Sequence, residues 1–303
     1  MLEPGHARNL LASWALLAGA AASVAAADGP SPIRLAAHDG REAVTVGVLL
    51  QPTVQVDRAG DAAVAADACF RRIRLVSSAQ AGRLSVFADT DTPYLGYHGV
   101  AGWAAPATFL QDLIVTYRLH EHLQIDTGLL LVPVSYNSTQ SAASLFAIGY
   151  GPYSFLSSAP THAKVGRDEG VQARGLWFTR RLEYRIGMFR GVRKVLPDVP
   201  PRVTMRAAWS FAGPLGPNFF YSGTLPAKQK RASVGVSVDT QQHYRALATD
   251  AIVEWPTRPG QRVTLQADLV HYDGGATFRA LPRQLTWLVE TGYLFSRARL
   301  QPF

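Results

Sequence analysis

Alternation of apolar and polar side chains, residue by residue, recurs along most of this chain and limits the fold more than any other feature. In the run LEYRIGMF at 182–189, apolar side chains alternate with Glu183, Arg185 and Gly187. About twelve such runs follow one another: 43–56, 70–79, 83–89, 112–119, 123–131, 169–177, 182–189, 202–211, 232–239, 248–255, 262–272 and 285–295. None shows the 3.6-residue period of a helix, and glycine and proline separate them. The pattern predicts an all-β, antiparallel chain.

Two architectures fit this alternation. A soluble β-sandwich turns its apolar faces inward, whereas a transmembrane β-barrel turns its apolar face to lipid. The runs are close to the roughly 9–11 residues that a tilted membrane strand needs. Aromatic residues such as Trp177, Trp255 and Trp287 lie near run ends, where interfacial girdles form. These features favour a transmembrane β-barrel of about 12–13 strands.

The connections between runs also alternate in length, as in outer-membrane barrels with short periplasmic turns and long external loops. The predicted short links are 80–82, 120–122, 178–181, 256–261 and 296–298. The predicted long links are 57–69, 90–108, 132–168, 190–201 and 273–284. One link, 213–230, is long at a position where a short turn is expected.

The first 27 residues have the pattern of a secretory signal peptide. Arg8 precedes an apolar run, and Ala25-Ala26-Ala27 supplies small residues for cleavage. The predicted organisation is therefore a signal peptide at 1–27, a short periplasmic segment at 28–42 and a barrel at 43–303. No later segment approaches the roughly 18 apolar residues of a membrane helix.

The net charge of +8 comes mostly from arginine, because only four of the 30 basic residues are lysines. Export argues against nucleic acid as a partner, and guanidinium groups bind small oxyanions through a planar fork. A base-composition bias of the genome is the alternative explanation. The single cysteine, Cys69, allows no intramolecular disulfide, and we interpret it as a small packing residue.

His120-Glu121-His122 resembles a metal-binding cluster but lies between two alternating runs. A zinc site needs three or four ligands from converging elements, and no second Cys/His cluster accompanies this one. We therefore predict a solvated hairpin turn, with no metal and no cofactor.

Several segments together resemble the phosphate-selective porin (O and P porin) family of Gram-negative outer membranes. They are FRRIRLVSSAQAGRLSVFAD (70–89), DLIVTYRLHEHLQIDTGLLLVPVS (112–135), GRDEGVQARG (166–175), LEYRIGMFRG (182–191), TDAIVEW (249–255), VTLQADLV (263–270) and ETGYLFSRARLQPF (290–303). The resemblance implies a barrel of about 16 strands, a homotrimer in outer-membrane lipid, and basic residues that draw phosphate and similar anions. It also implies a constriction loop at 136–167, whose basic residues are Lys164 and Arg167.

Strand alternation places six arginines on the polar face as candidates to line a pore: Arg72, Arg74, Arg118, Arg174, Arg185 and Arg206. The same face receives six carboxylates: Asp112, Asp126, Glu183, Asp250, Asp268 and Glu290. This balance is no clear anion trap and is typical of a general porin. The family resemblance and the excess positive charge together imply a water-filled porin in the outer membrane with a weak preference for anions such as phosphate.

Two other functions stay open. One is a non-conducting structural or adhesive barrel, and the other is a secreted β-sandwich hydrolase. No G-x-S-x-G elbow or H-E-x-x-H motif is present, so an enzyme is not predicted. Because RLQPF (299–303) resembles the start of a further strand, we also expect a truncated family member.

Overall fold

A computed structural model describes residues 23–24, 33–37, 41–59, 62–99, 102–103, 107–147, 149–151, 153–156, 166–192, 199–223, 230–295 and 300–301. The strands are β1 (Ser23–Val24), β2 (Ile33–Ala37), β3 (Glu42–Ala59), β4 (Ala62–Ala81), β5 (Leu84–Leu95), β6 (His98–Gly99), β7 (Gly102–Trp103), β8 (Phe109–His120), β9 (Leu123–Leu131), β10 (Arg167–Trp177), β11 (Leu182–Phe189), β12 (Arg202–Ala212), β13 (Arg231–Gln241), β14 (Tyr244–Arg258), β15 (Gln261–Asp273), β16 (Gln284–Phe295) and β17 (Leu300–Gln301). Two 3₁₀ turns, Asn137–Thr139 and Ala142–Ser144, lie between β9 and β10.

Fifteen of these strands form one sheet, in the order β1-β17-β16-β15-β14-β13-β12-β11-β10-β9-β8-β5-β4-β3-β2. Every ladder in it is antiparallel, and most neighbours in the sheet are also neighbours in sequence. β6 and β7 form a separate hairpin. Each of the twelve predicted runs corresponds to one strand, which confirms the all-β prediction.

The burial pattern of the sheet is reversed relative to a soluble protein. On β13, Val234, Val236 and Val238 are 42%, 55% and 45% exposed, whereas Ser237 and Asp239 are buried. The same alternation runs through β12, β14 and β15. An apolar outer face around a polar interior is the pattern of a barrel surrounded by lipid. The β-sandwich alternative is wrong, because the fifteen strands share a single sheet with its apolar side outward.

The sheet is rolled around the connection between β9 and β10. Near one end of the strand order, Gln51 of β3 donates a hydrogen bond to the carbonyl oxygen of Ala142 at 2.9 Å. Near the other end, Asp268 of β15 accepts a hydrogen bond from Ser135 at 2.9 Å. One connection touches strands from both ends of the order, so the polar face is the inner face of a barrel.

The connections define two ends of the barrel. At the short-connection end, β4 joins β5 at 82–83, β8 joins β9 at 121–122 and β14 joins β15 at 259–260. The opposite, long-connection end carries 132–166, 190–201 and 274–283 among its links. The predicted alternation is thus largely confirmed, and 213–230 is indeed a long link at the short-connection end.

Two predicted boundaries differ from the structure. The long link at 57–69 is wrong, because β3 and β4 extend to Ala59 and Ala62 as one long hairpin. Ile33–Ala37, predicted to precede the barrel, pair with β3. An open strand edge can accept even a five-residue neighbour, because its backbone groups otherwise lack partners.

The predicted signal peptide lies mostly outside the described residues. Ser23 and Val24 pair with Gln301 and Leu300, at one end of the ladder. Cleavage after residue 27 stays a prediction.

No helix among the described residues is long and apolar enough to cross a membrane.

Candidate pore interior

Five of the six predicted pore-lining arginines are buried on the inner face: Arg72, Arg74, Arg174, Arg185 and Arg206. Arg118 is exposed near the last residue of β8, beside the turn at the short-connection end. Its strand parity is that of the inner face, but it lies where the barrel meets solvent. The alternation therefore predicted the face correctly, and only the position along the strand separates Arg118 from the other five.

Arg74, Arg174, Arg185 and Arg206 form ion pairs with carboxylates on the same strand, on the neighbouring strand or, for Arg206, two strands away. Arg74 binds Asp89 at 3.0 Å and Asp91 at 2.8 Å. Arg174 binds Asp126 of β9 at 2.8 Å. Paired charges act on a passing ion as dipoles, so their effect falls off faster than that of a single charge.

A row of three arginines crosses β10, β11 and β12, because Arg185 lies directly opposite both Arg174 and Arg206. Arg185 binds Glu183 at 2.7 Å, and Arg206 binds Asp250 at 2.5 and 2.8 Å. The row is the feature nearest to the predicted arginine ring. Its members are held by carboxylates, which also offset the repulsion of directly opposed like charges.

Arg72 contacts a side-chain amide and an aromatic ring. Its guanidinium donates to Gln51 at 2.8 Å and lies 5.8 Å from the ring centre of Tyr150.

The interior contains further charged residues that sequence reasoning did not select. Arg202 binds Asp239 at 2.5 Å and Arg231 binds Glu254 at 2.7 Å, both on inner faces. Arg202 has the strand parity of Arg206, so alternation could have found it. Across the described residues, nine arginines and ten carboxylates are buried. The interior is close to charge balance, and the net charge of +8 gives no buried excess of arginine.

The two predicted constriction-loop residues have different outcomes. Lys164 lies outside the described residues. Arg167 is the first residue of β10, is 2% exposed and binds Asp112 at 2.7 Å. Its assignment to the loop is therefore wrong, because the ladder with β9 already begins at the Arg167–Leu131 pair.

The described part of the link between β9 and β10 folds into the barrel, as the family resemblance implies. Asn137, Ser138, Thr139 and Gln140 are at most 2% exposed. Ser237 of β13 donates to the carbonyl oxygen of Val134, and Gln140 donates to Gln266 at 2.7 Å. We call residues 134–144 the first inner segment.

The chain is apolar just before this segment because Leu130 and Leu131 pack inside the barrel. Both are fully buried in an interior apolar cluster with Val132, Val134 and Phe278 among its members. The cluster lies inside the long-connection end, because β9 and the link 274–283 meet there. It fills part of the interior that the sequence predicted to hold water.

The link at 213–230 supplies a second inner segment, residues 213–223. Arg174 donates to the carbonyl oxygen of Pro217 at 2.6 Å, and Arg185 donates to that of Phe219 at 2.8 Å. The sequence showed only that this link is too long. The link contains three consecutive aromatic residues, Phe219, Phe220 and Tyr221. This apolar triplet is the sequence signal that could have predicted that the link folds into the barrel interior.

The two inner segments enter from opposite ends of the barrel and meet inside it. Gln140 and Tyr221 form an isolated parallel β-bridge. The amide of Ser141 donates to the carbonyl of Tyr221 at 2.9 Å, and the amide of Tyr221 donates to that of Thr139 at 3.0 Å. The rings of Tyr136 and Tyr221 stack at 4.6 Å with an angle of 10°. We call this contact the tyrosine junction.

Strand side chains hold the hydroxyl groups of the tyrosine junction. The hydroxyl of Tyr221 accepts from Arg206 at 3.0 Å and donates to Glu183. A phenol both donates and accepts hydrogen bonds, so this one hydroxyl serves both charged partners. The hydroxyl of Tyr136 accepts from Arg231 and donates to the carbonyl of Ser222 at 2.8 Å. Arg206, one of the arginines predicted to attract anions, therefore also anchors the junction.

His120-Glu121-His122 forms the turn between β8 and β9, as predicted. His122 is more than a solvated turn residue: its ring stacks on Trp177 at 4.6 Å, and its Nδ1 contacts the carbonyl oxygen of Leu176. Within the described ranges, no group of three or more His, Cys, Asp or Glu side chains could hold a metal. The prediction that no metal binds stays a prediction.

Comparison with known proteins gives structural likenesses only. No protein-family model matches the chain, and a search of curated proteins also finds no match. Among solved structures, OccK2 (OpdF) of Pseudomonas aeruginosa is 12% identical, with a TM-score of 0.42 over 83% of this chain. This chain spans about 62% of the length of OccK2. A loop L8 deletion mutant of OmpT, an outer membrane protein of Vibrio cholerae, is 9% identical, with a TM-score of 0.39 over 84% of this chain and 88% of that one.

Strand order, reversed burial and the polar interior define the class of the protein as a membrane-spanning antiparallel β-barrel. This assignment rests on the ladders and the burial pattern, because both TM-scores lie below 0.5. The resemblance to the phosphate-selective porin family stays a prediction.

Proposed function

We propose that the protein is an outer-membrane barrel through which small solutes cross by a constricted, polar path. The observation that carries this proposal is the reversed burial, with apolar side chains outward and paired charges inward. Bacterial barrels of this kind span outer membranes, where the outer face meets lipid and the inner face meets water. The absence of enzymatic activity predicted from the sequence is part of the proposal.

A preference for anions such as phosphate has weaker support. It rests on the family resemblance and on the net charge of +8. The described interior does not favour it, because the nine buried arginines face ten buried carboxylates. A homotrimer likewise rests on the resemblance alone.

A second candidate is a structural barrel that does not conduct. The observation that favours it is the filling of the interior by the apolar cluster and the tyrosine junction. Both segments that form the junction contact several strands, so they would stiffen the barrel as well as narrow it.

Planar-bilayer recording separates these two functions. A channel gives discrete conductance steps when the purified protein is added to one side, and these steps should disappear after heat denaturation of the sample. Tyr221→Ala, which removes the stacked ring of the junction, should enlarge the steps. If neither the wild type nor Tyr221→Ala conducts, the structural barrel is correct and the channel proposal is wrong.

A further inference from the structure

One wall of the interior departs from the charge pairing seen elsewhere. Asp250 of β14 and Asp268 of β15 lie directly opposite each other. Arg206 binds both oxygens of Asp250, at 2.5 and 2.8 Å. The ion pairs of the described interior leave Asp268 out, although it is only 6% exposed.

The environment of Asp268 is only partly satisfied. Its Oδ2 accepts a hydrogen bond from Ser135 at 2.9 Å, whereas no described donor reaches Oδ1. A cavity of about 20 Å³ borders the side chain, with Ser154 and Thr286 also in its wall. A space of roughly 10–15 Å³ is enough for one water molecule, so this cavity can hold a water beside Asp268. It lies on the Thr286 side of this carboxylate, and neither Glu290 nor Gln140 lines it.

A second carboxylate lies on the neighbouring strand. Glu290 of β16 is partly buried on the inner face, opposite Gln266 of β15. Its Oε2 has no described hydrogen-bond donor. Like Asp268, it takes part in no ion pair within the part of the chain that the structure describes.

The first inner segment brings an independent ligand group to this wall. Gln140 is fully buried and donates its amide to Gln266, the residue that faces Glu290. The side-chain oxygen of Gln140 has no hydrogen-bond donor among the described residues. A buried amide oxygen without a donor carries a desolvation cost that a cation or an ordered water would offset.

We propose that Asp268, Glu290 and Gln140 form a binding site for a small hard cation on the β15–β16 wall. Carboxylate and amide oxygens are the ligands that alkali and alkaline-earth cations prefer. Unlike the paired carboxylates, these two form no ion pair among the described residues, so in their ionised form they act strongly on a cation in this desolvated interior. The site reverses the expectation from composition: the wall favours cations although the chain is basic.

This inference relies on the proposed channel only for the entry of the ion. It is therefore tested first by calcium titration of the purified, folded barrel in detergent, which needs no conduction. Asp268→Asn and Glu290→Gln each remove one negative charge while keeping the shape of the side chain, and each should weaken calcium binding at least about ten-fold. Asp273→Asn is the matched control, because Asp273 ends the same strand and binds the amide of Gly275 at 3.0 Å. Its calcium affinity should equal that of the wild type.

A wild type that binds no calcium, or equal affinities in all four proteins, would overturn the inference. Heat-modifiable migration on gels confirms that each variant is folded, and Glu290→Gln carries the test if Asp268→Asn does not fold. Reversal potentials in a KCl gradient at pH 8 then give a second readout: both site variants should shift selectivity towards anions, and Asp273→Asn should not. A wild type that binds calcium but does not conduct refutes the channel and leaves the cation site standing.

Discussion

Removing the hydroxyl of Tyr221 is the sharpest test of the tyrosine junction. Tyr221→Phe keeps the ring that stacks on Tyr136 but deletes an acceptor for Arg206 and a donor to Glu183. A hydrogen bond to a charged group contributes about 1.5–3 kcal/mol, and a buried partner left unsatisfied adds a cost of similar size. Since both charged partners retain other contacts, we expect a loss of about 2–3 kcal/mol in unfolding free energy.

The measurement is urea unfolding in detergent or liposomes, followed by tryptophan fluorescence. Tyr94→Phe is the matched control, because Tyr94 is exposed and its ring remains under Arg71. It should change stability by less than about 0.5 kcal/mol. If Tyr221→Phe also stays within that limit, the hydroxyl does not anchor the second inner segment.

The contact between the two segments is measured by a double-mutant cycle. Tyr136→Ala and Tyr221→Ala should couple by about 0.5–1.5 kcal/mol, the range for stacked aromatic pairs. Coupling energy near zero would mean that the two segments are held independently by the barrel wall.

Other predictions concern single contacts and use the same unfolding assay. Arg206→Met leaves Asp250 buried without its partner and should cost about 3–5 kcal/mol, whereas Arg118→Met at the exposed turn should cost less than about 0.5 kcal/mol. Equal losses of unfolding free energy in these two variants would contradict the assignment of Arg206 as buried and Arg118 as exposed. His122→Ala removes the ring stacked on Trp177 and should cost about 1 kcal/mol, so a neutral effect would restore the interpretation of His122 as a solvated turn residue.

Most of the fold could be predicted from the sequence, because a period of two leaves a side chain only two faces. The twelve runs became twelve strands, and five of six selected arginines face the interior. The partners of those arginines could not be predicted, because they depend on the register between strands. For example, Arg174 of β10 pairs in the ladder with Gln124 of β9, yet its guanidinium binds Asp126, two residues further along β9.

The inner segments show where sequence reasoning stopped. The stretch YNSTQSAAS at 136–144 has the composition of a solvent-exposed loop, since small polar side chains suit both water and a polar interior. The contacts of this stretch with the strands, such as Gln140 with Gln266 and Ala142 with Gln51, distinguish these two environments. The link at 213–230 was anomalous in length, and its three adjacent aromatic residues had no assigned place.

The tyrosine junction also has a consequence for the order of events during folding. Gln140 and Tyr221 are separated in sequence by β10, β11 and β12, so closing their bridge early would mean closing a long, unsupported loop. We expect these strands to pair first and the junction to form late. A folding intermediate would then have a paired strand wall but no inner segments in its interior. It would be more permeable to ions and more sensitive to protease than the native protein. Docking of the two inner segments would be the last folding step, and it would lower the permeability of the barrel to its native value.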